Sequence, residues 1–204
     1  MNIANTLDWF KSFLNNADVN FCDGEGVRIA GQILGQKIPE KITYNRWIWQ
    51  LAERSSRKGH SWFIIGSEAP TIAAAFSVLK KKYPKLDLLD CHDGFIKDEK
   101  TLRELKYKIN ELKPDLLILG MGMPFQEDFL IKNANELDFG IALTGGAVFE
   151  YISGNAKMTP EIFYKLKMEW FYRFMQEPGR LFKRYFVGNF VFFLRVFRRK
   201  LRKI

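Results

Sequence analysis

Short apolar segments alternate with longer amphipathic segments through the middle of the chain, and this alternation constrains the fold most. The apolar segments cover 61–65 (SWFII), 86–90, 115–119 (DLLIL) and 139–143, and the amphipathic segments cover 71–83, 99–112 and 125–135. Short apolar runs are typical of buried strands, and strands that alternate with helices of about a dozen residues form parallel βαβ units. The sequence therefore predicts an α/β fold with a Rossmann-like, mostly parallel sheet flanked by helices.

The first 60 residues add three predicted helices and one predicted strand. Apolar residues at spacings of three and four predict helices over 6–16, 27–34 and 44–57. The segment 17–22 is a brief strand-like run that ends at Asp23-Gly24-Glu25-Gly26. Because the composition shifts near Gly154, residues 1–154 are predicted to form one α/β core.

Glycine and polar residues follow four of the predicted strands. They are Asp23-Gly24, Gly66-Ser67, the segment 120–127 (GMGMPFQE) and Thr144-Gly145-Gly146. Ligands in parallel α/β folds bind beyond the carboxyl ends of the strands. Free amides and the helix dipole make helix N-termini at such an edge suitable for phosphate. We therefore expect these residues to line one crevice for a phosphate-bearing ligand.

Two of these connections carry side chains with more than one interpretation. Asp23 is either a residue of a simple Asp-Gly turn or a general base at the end of a strand. Gln126 and Glu127 lie in the first turn of a predicted helix, where they either contact a sugar or nucleobase or cap the helix. The connection matches neither the G-x-x-x-x-G-K-[ST] phosphate loop nor the G-x-G-x-x-G fingerprint. The pattern alone leaves these alternatives open.

Cysteines and histidines are too few for a disulfide framework or a zinc site. Cys22 and Cys91 have no C-x-x-C or zinc spacing, and His60 and His92 have no H-x-x-x-H partner. No Asp-x-Asp pair of the manganese-binding type occurs. The N-terminus lacks the regions of a secretory signal, and no apolar run of 18 residues is present. We therefore expect no metal ion and a reduced, cytosolic setting.

The segment 155–204 is predicted to be a basic, aromatic, helical appendage. Residues 157–204 contain 13 Lys and Arg against 3 Glu, whereas residues 1–156 contain 19 basic and 20 acidic residues. A basic amphipathic segment with aromatic residues either lies in an anionic membrane interface or docks on the protein with a solvated basic face. Only the charge favours a nucleic-acid partner, and we expect none because no nucleic-acid module pattern is present.

Short motifs along the chain give it a resemblance to a known family. They are Asp23-Gly24-x-Gly26-Val27, His92-x-Gly94-Phe95, Gly120-x-Gly122-x-Pro124-x-Gln126-Glu127, Gly145-Gly146-Ala147-x-Phe149, Thr159-Pro160, Glu169-Trp170-x-Tyr172-Arg173, Glu177-Pro178-x-Arg180, Arg184-Tyr185 and Gly188-Asn189. With these motifs in this order, the sequence resembles the WecG/TagA/CpsF glycosyltransferases of bacterial cell-surface polymer synthesis. The resemblance covers nearly the whole chain.

The resemblance implies a metal-independent, inverting glycosyltransferase that uses no cofactor. Its donor would be a UDP-sugar carrying N-acetylmannosamine or a related hexose or uronic acid. Its acceptor would be polyprenyl-diphosphate-linked GlcNAc in polysaccharide or teichoic acid synthesis. Such an acceptor implies a cytoplasmic enzyme that is peripheral at the inner face of the bacterial membrane, whose surface is anionic. Residues 1–154 would be the catalytic core, and residues 155–204 would close the active site and bind the membrane.

The resemblance also assigns roles to residues. Asp23 matches the family's proposed catalytic base. The implied substrate-binding residues are Gly24, Gly66, Gly120, Gln126, Glu127, Gly145, Gly146, Glu150, Arg173, Arg180 and Arg184. The three arginines match tail residues that contact the diphosphate, and guanidinium groups suit its oxygens in the absence of a metal. The distal segment 193–203 would rest on the membrane.

The sequence departs from the family pattern in places that bear on activity. It begins after a strand and a helix that relatives usually have, so the first strand-helix unit of the family is expected to be missing. Glu150 stands where relatives generally have Asp, and Phe125 replaces a commonly basic residue. These departures leave an alternative hypothesis, a truncated and catalytically inactive member that binds the membrane surface. The oligomeric state, including a homo-oligomer, is left open.

Overall fold

The computed structural model describes residues 2–38 and 41–202, apart from the side chains of Arg180 and Arg184. Contacts divide the chain into two compact units. We call Tyr44–Lys157 the sheet unit, and Met1–Thr43 together with Met158–Ile204 the terminal unit. This grouping differs from the predicted division into 1–154 and 155–204, because residues 1–43 pack with the C-terminal segment. The functional division stays a prediction.

The described residues form helices and four parallel strands. The helices are α1 (Asp8–Asn16), α2 (Glu25–Ile33), α3 (Tyr44–Lys58), α4 (Ala69–Lys82), α5 (Glu99–Leu112), α6 (Phe125–Asn133), α7 (Val148–Ser153), α8 (Glu161–Lys165), α9 (Glu169–Gln176), α10 (Pro178–Phe182) and α11 (Asn189–Leu201). The strands are β1 (Ser61–Gly66), β2 (Asp87–His92), β3 (Leu116–Gly120) and β4 (Ile141–Thr144). Short 3-10 turns cover Ile3–Asn5 and Ala134–Glu136, and a π-helical turn covers Lys183–Gly188. The predicted α/β fold is confirmed.

The sheet has the strand order β2-β1-β3-β4, and all its pairings are parallel. In the register, Ile64 pairs with Cys91 on one side and Ile118 on the other, and Ile118 pairs with Leu143. The chain runs from β1 outward to β2 and then crosses to β3 on the opposite side of β1. The strand order therefore reverses between β1 and β3, which is where ligands of such sheets bind.

The core of the sheet unit surrounds β1. Trp62 and Ile64 are completely buried, as expected for a central parallel strand with both faces covered. Ile48 of α3, Leu79 of α4 and Phe149 of α7 belong to the same buried cluster. Burial of each large apolar side chain stabilises the fold by roughly 1.5–3 kcal/mol. This core fixes the strands whose carboxyl ends carry the candidate site.

The predicted strand over 17–22 is wrong. These residues and the two that follow form no strand, and the carbonyl oxygen of Cys22 accepts a backbone hydrogen bond from Ile42 at 2.9 Å. Val19 and Phe21 are exposed, so the short apolar run has no sheet to join. Asp23 therefore lies in an extended loop before α2, and not at the end of a strand.

The terminal unit combines helices from both ends of the sequence. Helix α11 packs on α2, and the Asn2 side chain donates a hydrogen bond to the carbonyl oxygen of Gly188 at 2.9 Å. Lys41 forms a largely buried ion pair with Glu169 of α9, and its Nζ lies 5.4 Å from the ring centroid of Tyr164. These contacts join segments that lie far apart in the sequence.

Candidate active site

Hydrogen bonds tie together the loops at the carboxyl edge of the sheet. The backbone N–H of Gly94, after β2, donates to Ser67 O at 2.9 Å, and that of Ser67, after β1, donates to Gly120 O at 3.2 Å. The backbone N–H of Gly145, after β4, donates to Leu119 O at 2.7 Å. The predicted glycine-rich connections within the sheet unit therefore meet at one edge, around the switch point between β1 and β3.

Close packing explains two of the glycines predicted to bind substrate. A Cβ atom on Gly66 would lie 2.4 Å from the backbone carbonyl carbon of Gly120. A Cβ on Gly120 would lie 2.4 Å from Cδ2 of Phe149. Both distances are too short for a side chain, so the close approach of β1 to β3 requires glycine at position 66, and that of β3 to α7 requires glycine at position 120. A substrate-binding role for either residue stays a prediction.

The two-glycine loop after β4 lies between α3 and α6. A Cβ on Gly145 would lie 2.8 Å from Cε1 of the Tyr44 ring. The backbone N–H of Gly146 donates a hydrogen bond to Oε1 of Gln126 at 3.0 Å. Gly146 has a φ of +57°, which favours glycine, and no atom within 4 Å of its Cβ position. The loop is thus held on both sides at the edge where α6 begins.

Gln126 and Glu127 form a buried polar pair at the start of α6. The amide nitrogen Nε2 of Gln126 donates to Oε1 of Glu127 at 2.8 Å. Gln126 is 2% exposed and Glu127 is 3% exposed. The Gln126 amide therefore links the Gly146 backbone to the Glu127 carboxylate. Together they connect the loop after β3 to the loop after β4.

A capping role does not account for Glu127. The N-cap residue of α6 is Pro124, which has no backbone N–H for the Glu127 carboxylate to accept. Oε2 of Glu127 is buried, and it has no hydrogen-bond partner among the described residues. Burial raises the pKa of this carboxyl, although the Gln126 amide and the backbone N–H of Glu127 oppose the increase. The site thus holds a buried acceptor that the described residues leave unsatisfied.

Glu150 lies in the first turn of α7, close to the same edge. Its carboxylate accepts a long hydrogen bond from Nδ2 of Asn155 at 3.5 Å, and the same Nδ2 donates to Oγ1 of Thr71 at 2.9 Å. The side chain is half-buried. Glu150 therefore contributes a partly accessible carboxylate, and its substrate-binding role stays a prediction.

The proposed base, Asp23, belongs to the terminal unit. It is exposed and comes just before Gly24, the N-cap residue of α2. The side chains that follow are paired with each other, because Arg28 and Glu25 form an ion pair at 2.5 Å. Burial raises the pKa of the neighbouring Cys22 thiol, and the negative charges of Asp23 and Glu25 contribute to the increase. The structure thus presents the Asp23 carboxylate at the surface of its unit.

The three predicted arginines lie in the C-terminal part of the terminal unit. Arg173 is half-buried in α9. The side chains of Arg180 and Arg184 lie outside the part of the chain that the structure describes. Around them, Phe174 lies 5.6 Å from Phe186, and Phe186 stacks on Phe182 at 4.8 Å, measured between ring centroids. The backbone that carries the arginines therefore has an aromatic framework.

Helix α11 presents an apolar stripe to solvent. The stripe consists of Phe190, Leu194, Phe197 and Leu201, whose spacings of four, three and four place them on one face. Arg195, Arg198, Arg199, Lys200 and Arg202 surround it in sequence. In the part of the chain that the structure describes, no helix has the length and apolar character needed to cross a membrane.

Within residues 2–38 and 41–202, no three side chains of His, Cys, Asp or Glu gather in a way that suits a metal ion. Sequence reasoning missed Tyr44, whose hydroxyl is buried beside Gly145. The sequence predicts a helix over 44–57 from its apolar spacing, and nothing in that pattern distinguishes a tyrosine at the first position. The Lys41–Glu169 pair was also missed, because 127 residues separate its members.

Comparisons with known proteins agree on one family of glycosyl transferases. The sequence model of the Glycosyl transferase WecG/TagA/CpsF family matches residues 1–204. A protein of Bacillus spizizenii named N-acetylglucosaminyldiphosphoundecaprenol N-acetyl-beta-D-mannosaminyltransferase is 28% identical over 171 residues, which are 84% of this chain and 65% of that protein. A protein of the same name from Staphylococcus aureus strain MW2 is 26% identical over 205 residues, covering 100% of this chain and 79% of that protein.

Proposed function

The chain belongs to the glycosyl transferase WecG/TagA/CpsF family, and from this premise we propose that it transfers a sugar to a lipid-linked acceptor. The donor is a UDP-sugar that carries N-acetylmannosamine or a related hexose or uronic acid. The acceptor is GlcNAc on a polyprenyl diphosphate, in the synthesis of a cell-surface polysaccharide or teichoic acid. The names of the Bacillus and Staphylococcus relatives support the lipid-linked GlcNAc acceptor and an N-acetylmannosaminyl group as the sugar transferred.

The buried, unsatisfied Oε2 of Glu127 at the switch-point edge carries the proposal. A buried acceptor without a donor costs stability, and a substrate that supplies an O–H or N–H group would remove that cost. We assign the donor sugar nucleotide to this edge, with Gln126, Glu127, Gly146 and Glu150 as its polar contacts. The N-termini of α4, α6 and α7 follow β1, β3 and β4 there and favour the diphosphate.

In the proposed reaction, Asp23 acts as general base. Its carboxylate takes the proton of the acceptor hydroxyl while the hydroxyl oxygen forms a bond to the anomeric carbon of the donor sugar. The bond from that carbon to the diphosphate breaks on the opposite face, so the configuration inverts and UDP leaves with the electron pair. Arg173, Arg180 and Arg184 stabilise the negative charge of UDP in the role a metal ion has in other transferases.

The apolar stripe of α11 supports a peripheral position at the inner face of the membrane. Exposed aromatic and aliphatic side chains next to arginines suit an anionic bilayer surface, where a polyprenyl-linked acceptor resides. The same stripe favours the second candidate function, an inactive member that only binds the membrane surface. Catalytic turnover separates the two candidates.

The test is transfer by the purified chain from a panel of UDP-sugars to a soluble polyprenyl-diphosphate-GlcNAc analogue. We expect turnover with at least one N-acetylhexosamine donor. Asp23→Asn should lower the rate by about 100- to 10,000-fold, because loss of a general base typically costs that much. Asp18→Asn, a change of another exposed carboxylate in the same loop, is the control and should leave the rate unchanged.

Two results would contradict this proposal. Undiminished transfer by the Asp23→Asn variant would remove Asp23 as the base. A chain that floats with anionic vesicles but turns over none of the donors would instead support the membrane-binding function alone.

A further inference from the structure

Tyr44 places a hydroxyl group beside the two-glycine loop at the carboxyl edge of β4. It is the first residue of α3, and its ring lies against Gly145. A Cβ on Gly145 would lie 3.3 Å from Cζ, the ring carbon that carries the hydroxyl. A T-shaped contact with Trp47, 5.4 Å between ring centroids, also holds the ring. The hydroxyl therefore has a fixed position next to the loop that Gln126 holds from the other side.

This hydroxyl has no evident structural purpose. Its oxygen is buried and has no hydrogen-bond partner among the described residues, although the residue as a whole is half-buried. Burial raises the pKa of Tyr44, so the group is a neutral O–H donor at physiological pH. A buried donor without an acceptor lowers stability, and phenylalanine would fill the same space without that cost. The arrangement suggests that a ligand supplies the acceptor.

The start of α3 favours an anionic acceptor. The helix spans 15 residues and ends at Lys58, just before the amino end of β1, so its N-terminus lies at the carboxyl edge of the sheet. The free N–H groups of a first helical turn and the helix dipole stabilise negative charge. A phosphate oxygen is thus the acceptor that suits both the hydroxyl and its surroundings.

We propose that the Tyr44 hydroxyl donates a hydrogen bond to a phosphate oxygen of the bound sugar nucleotide, at the loop formed by Gly145 and Gly146. This inference rests on the proposed function, and it adds a phosphate-binding residue that the sequence motifs do not include. Tyr44, which lies on α3, would bind the diphosphate. The carboxylate of Glu127, which lies on α6, would accept a hydrogen bond from another group of the same ligand.

The experiment compares Tyr44→Phe with Tyr83→Phe in the full chain. Each change removes one hydroxyl from the sheet unit, but the Tyr83 hydroxyl donates to the carbonyl oxygen of Trp49 at 3.2 Å. Calorimetry measures the affinity for UDP, ligand-observed NMR measures the affinity for uridine, and thermal unfolding reports on stability.

We expect Tyr44→Phe to weaken UDP binding by about 10- to 100-fold, the usual loss for a hydrogen bond to a charged group. Its affinity for uridine should be unchanged, and its unfolding temperature should equal or exceed that of the wild type. Tyr83→Phe should lower the unfolding temperature and leave the affinity for UDP unchanged.

Three outcomes would overturn the inference while leaving the proposed function intact. Tyr44→Phe would bind UDP as tightly as the wild type, or lose uridine affinity as much as UDP affinity, or unfold at a lower temperature as Tyr83→Phe does. A wild-type chain that binds no UDP would overturn the proposed function itself, and this inference with it.

Discussion

The sheet unit and the terminal unit differ in their net charge and in how many large apolar side chains they expose. The sheet unit contains 16 basic and 15 acidic residues, and its central strands β1 and β3 are buried. The terminal unit contains 16 basic and 8 acidic residues. Of the large apolar side chains exposed in the described residues, 15 lie in the terminal unit and 6 in the sheet unit.

This difference suits two chemically different substrates. In the proposed function, buried polar atoms without a partner among the described residues, such as Glu127 Oε2 and Tyr44 Oη, would bind a small polar ligand by hydrogen bonds. An exposed apolar stripe with neighbouring arginines has no such selectivity, but it binds an extended anionic and apolar surface. The proposed reaction, which transfers a sugar from a nucleotide to a lipid-linked acceptor, would require both kinds of recognition.

Removal of the apolar stripe of α11 should have the largest effect, which is a loss of binding to anionic vesicles. We expect Phe190→Ser combined with Phe197→Ser to weaken binding to anionic vesicles by roughly 100-fold or more, since each phenylalanine contributes about 1.5–3 kcal/mol when buried. Tyr107→Ser on α5 is the matched control, because Tyr107 and Phe190 are both 71% exposed. Co-sedimentation with phosphatidylglycerol vesicles measures both. Equal binding by the double variant and the control would show that the stripe is not the membrane-binding face.

Replacement of a glycine by alanine should change the free energy of unfolding in opposite directions in the two units. Gly120→Ala would place Cβ 2.4 Å from the completely buried Phe149 ring, so we expect a loss of about 1–3 kcal/mol in the free energy of unfolding. Gly26→Ala in α2 meets no atom within 4 Å and should stabilise the chain by up to about 1 kcal/mol through helix propensity. Urea denaturation measures both. A tolerated Gly120→Ala would mean that the β3–α7 contact is looser than the structure shows.

The pH dependence of stability should show the cost of burying Glu127. Its pKa in the folded protein is above the value of 4.5 for an unperturbed carboxyl, chiefly because of desolvation. Between those two values the folded state holds the proton more tightly than the unfolded state, so stability falls as pH rises through this window. The fall amounts to about 1.4 kcal/mol for every tenfold difference in proton affinity.

Glu127→Gln should remove this loss, because the amide oxygen still accepts from Gln126 and the side chain no longer ionises. Urea denaturation from pH 4 to pH 8 should therefore show that the free energy of unfolding of the variant increases relative to that of the wild type as pH rises. The matched control is Asp128→Asn, which changes an exposed carboxylate paired with Lys132 at 2.6 Å. A constant difference between Glu127→Gln and wild type at all pH values would mean that Glu127 has an ordinary pKa.

The sequence predicted the sheet unit well because its signals are local and redundant. The apolar run at residues 61–65 is too short for a buried helix and therefore indicates a covered strand, and Gly66 and Pro70 mark the adjacent turn. The error at 17–22 shows the limit of this reasoning. The same apolar pattern forms a strand only if a neighbouring strand is available, and that depends on distant parts of the chain.

The edge of the sheet where the glycine-containing loops meet was predictable, but its detailed geometry was not. Glycines at strand ends indicated the edge where Gly120 and Gly145 lie. That Glu127 would be buried with one unsatisfied oxygen, or that the Tyr44 hydroxyl would lie beside Gly145, depends on three-dimensional packing between α3, α6 and the β4 loop. Residue type and spacing do not encode that geometry. The assignments of Asp23, Arg173, Arg180 and Arg184 stay predictions.

The terminal unit is built from both ends of the sequence, and this affects the order in which the protein can fold during synthesis. Asn2 bonds to Gly188, 186 positions later in the chain, and α2 packs on α11. The ribosome synthesises the chain from its N-terminus. The N-terminal helices therefore cannot pack on the C-terminal ones until almost all of these 204 residues have been synthesised. The sheet unit is complete at Lys157 and can fold earlier. The basic unit with the exposed stripe of α11 therefore forms last, after the sheet unit is complete.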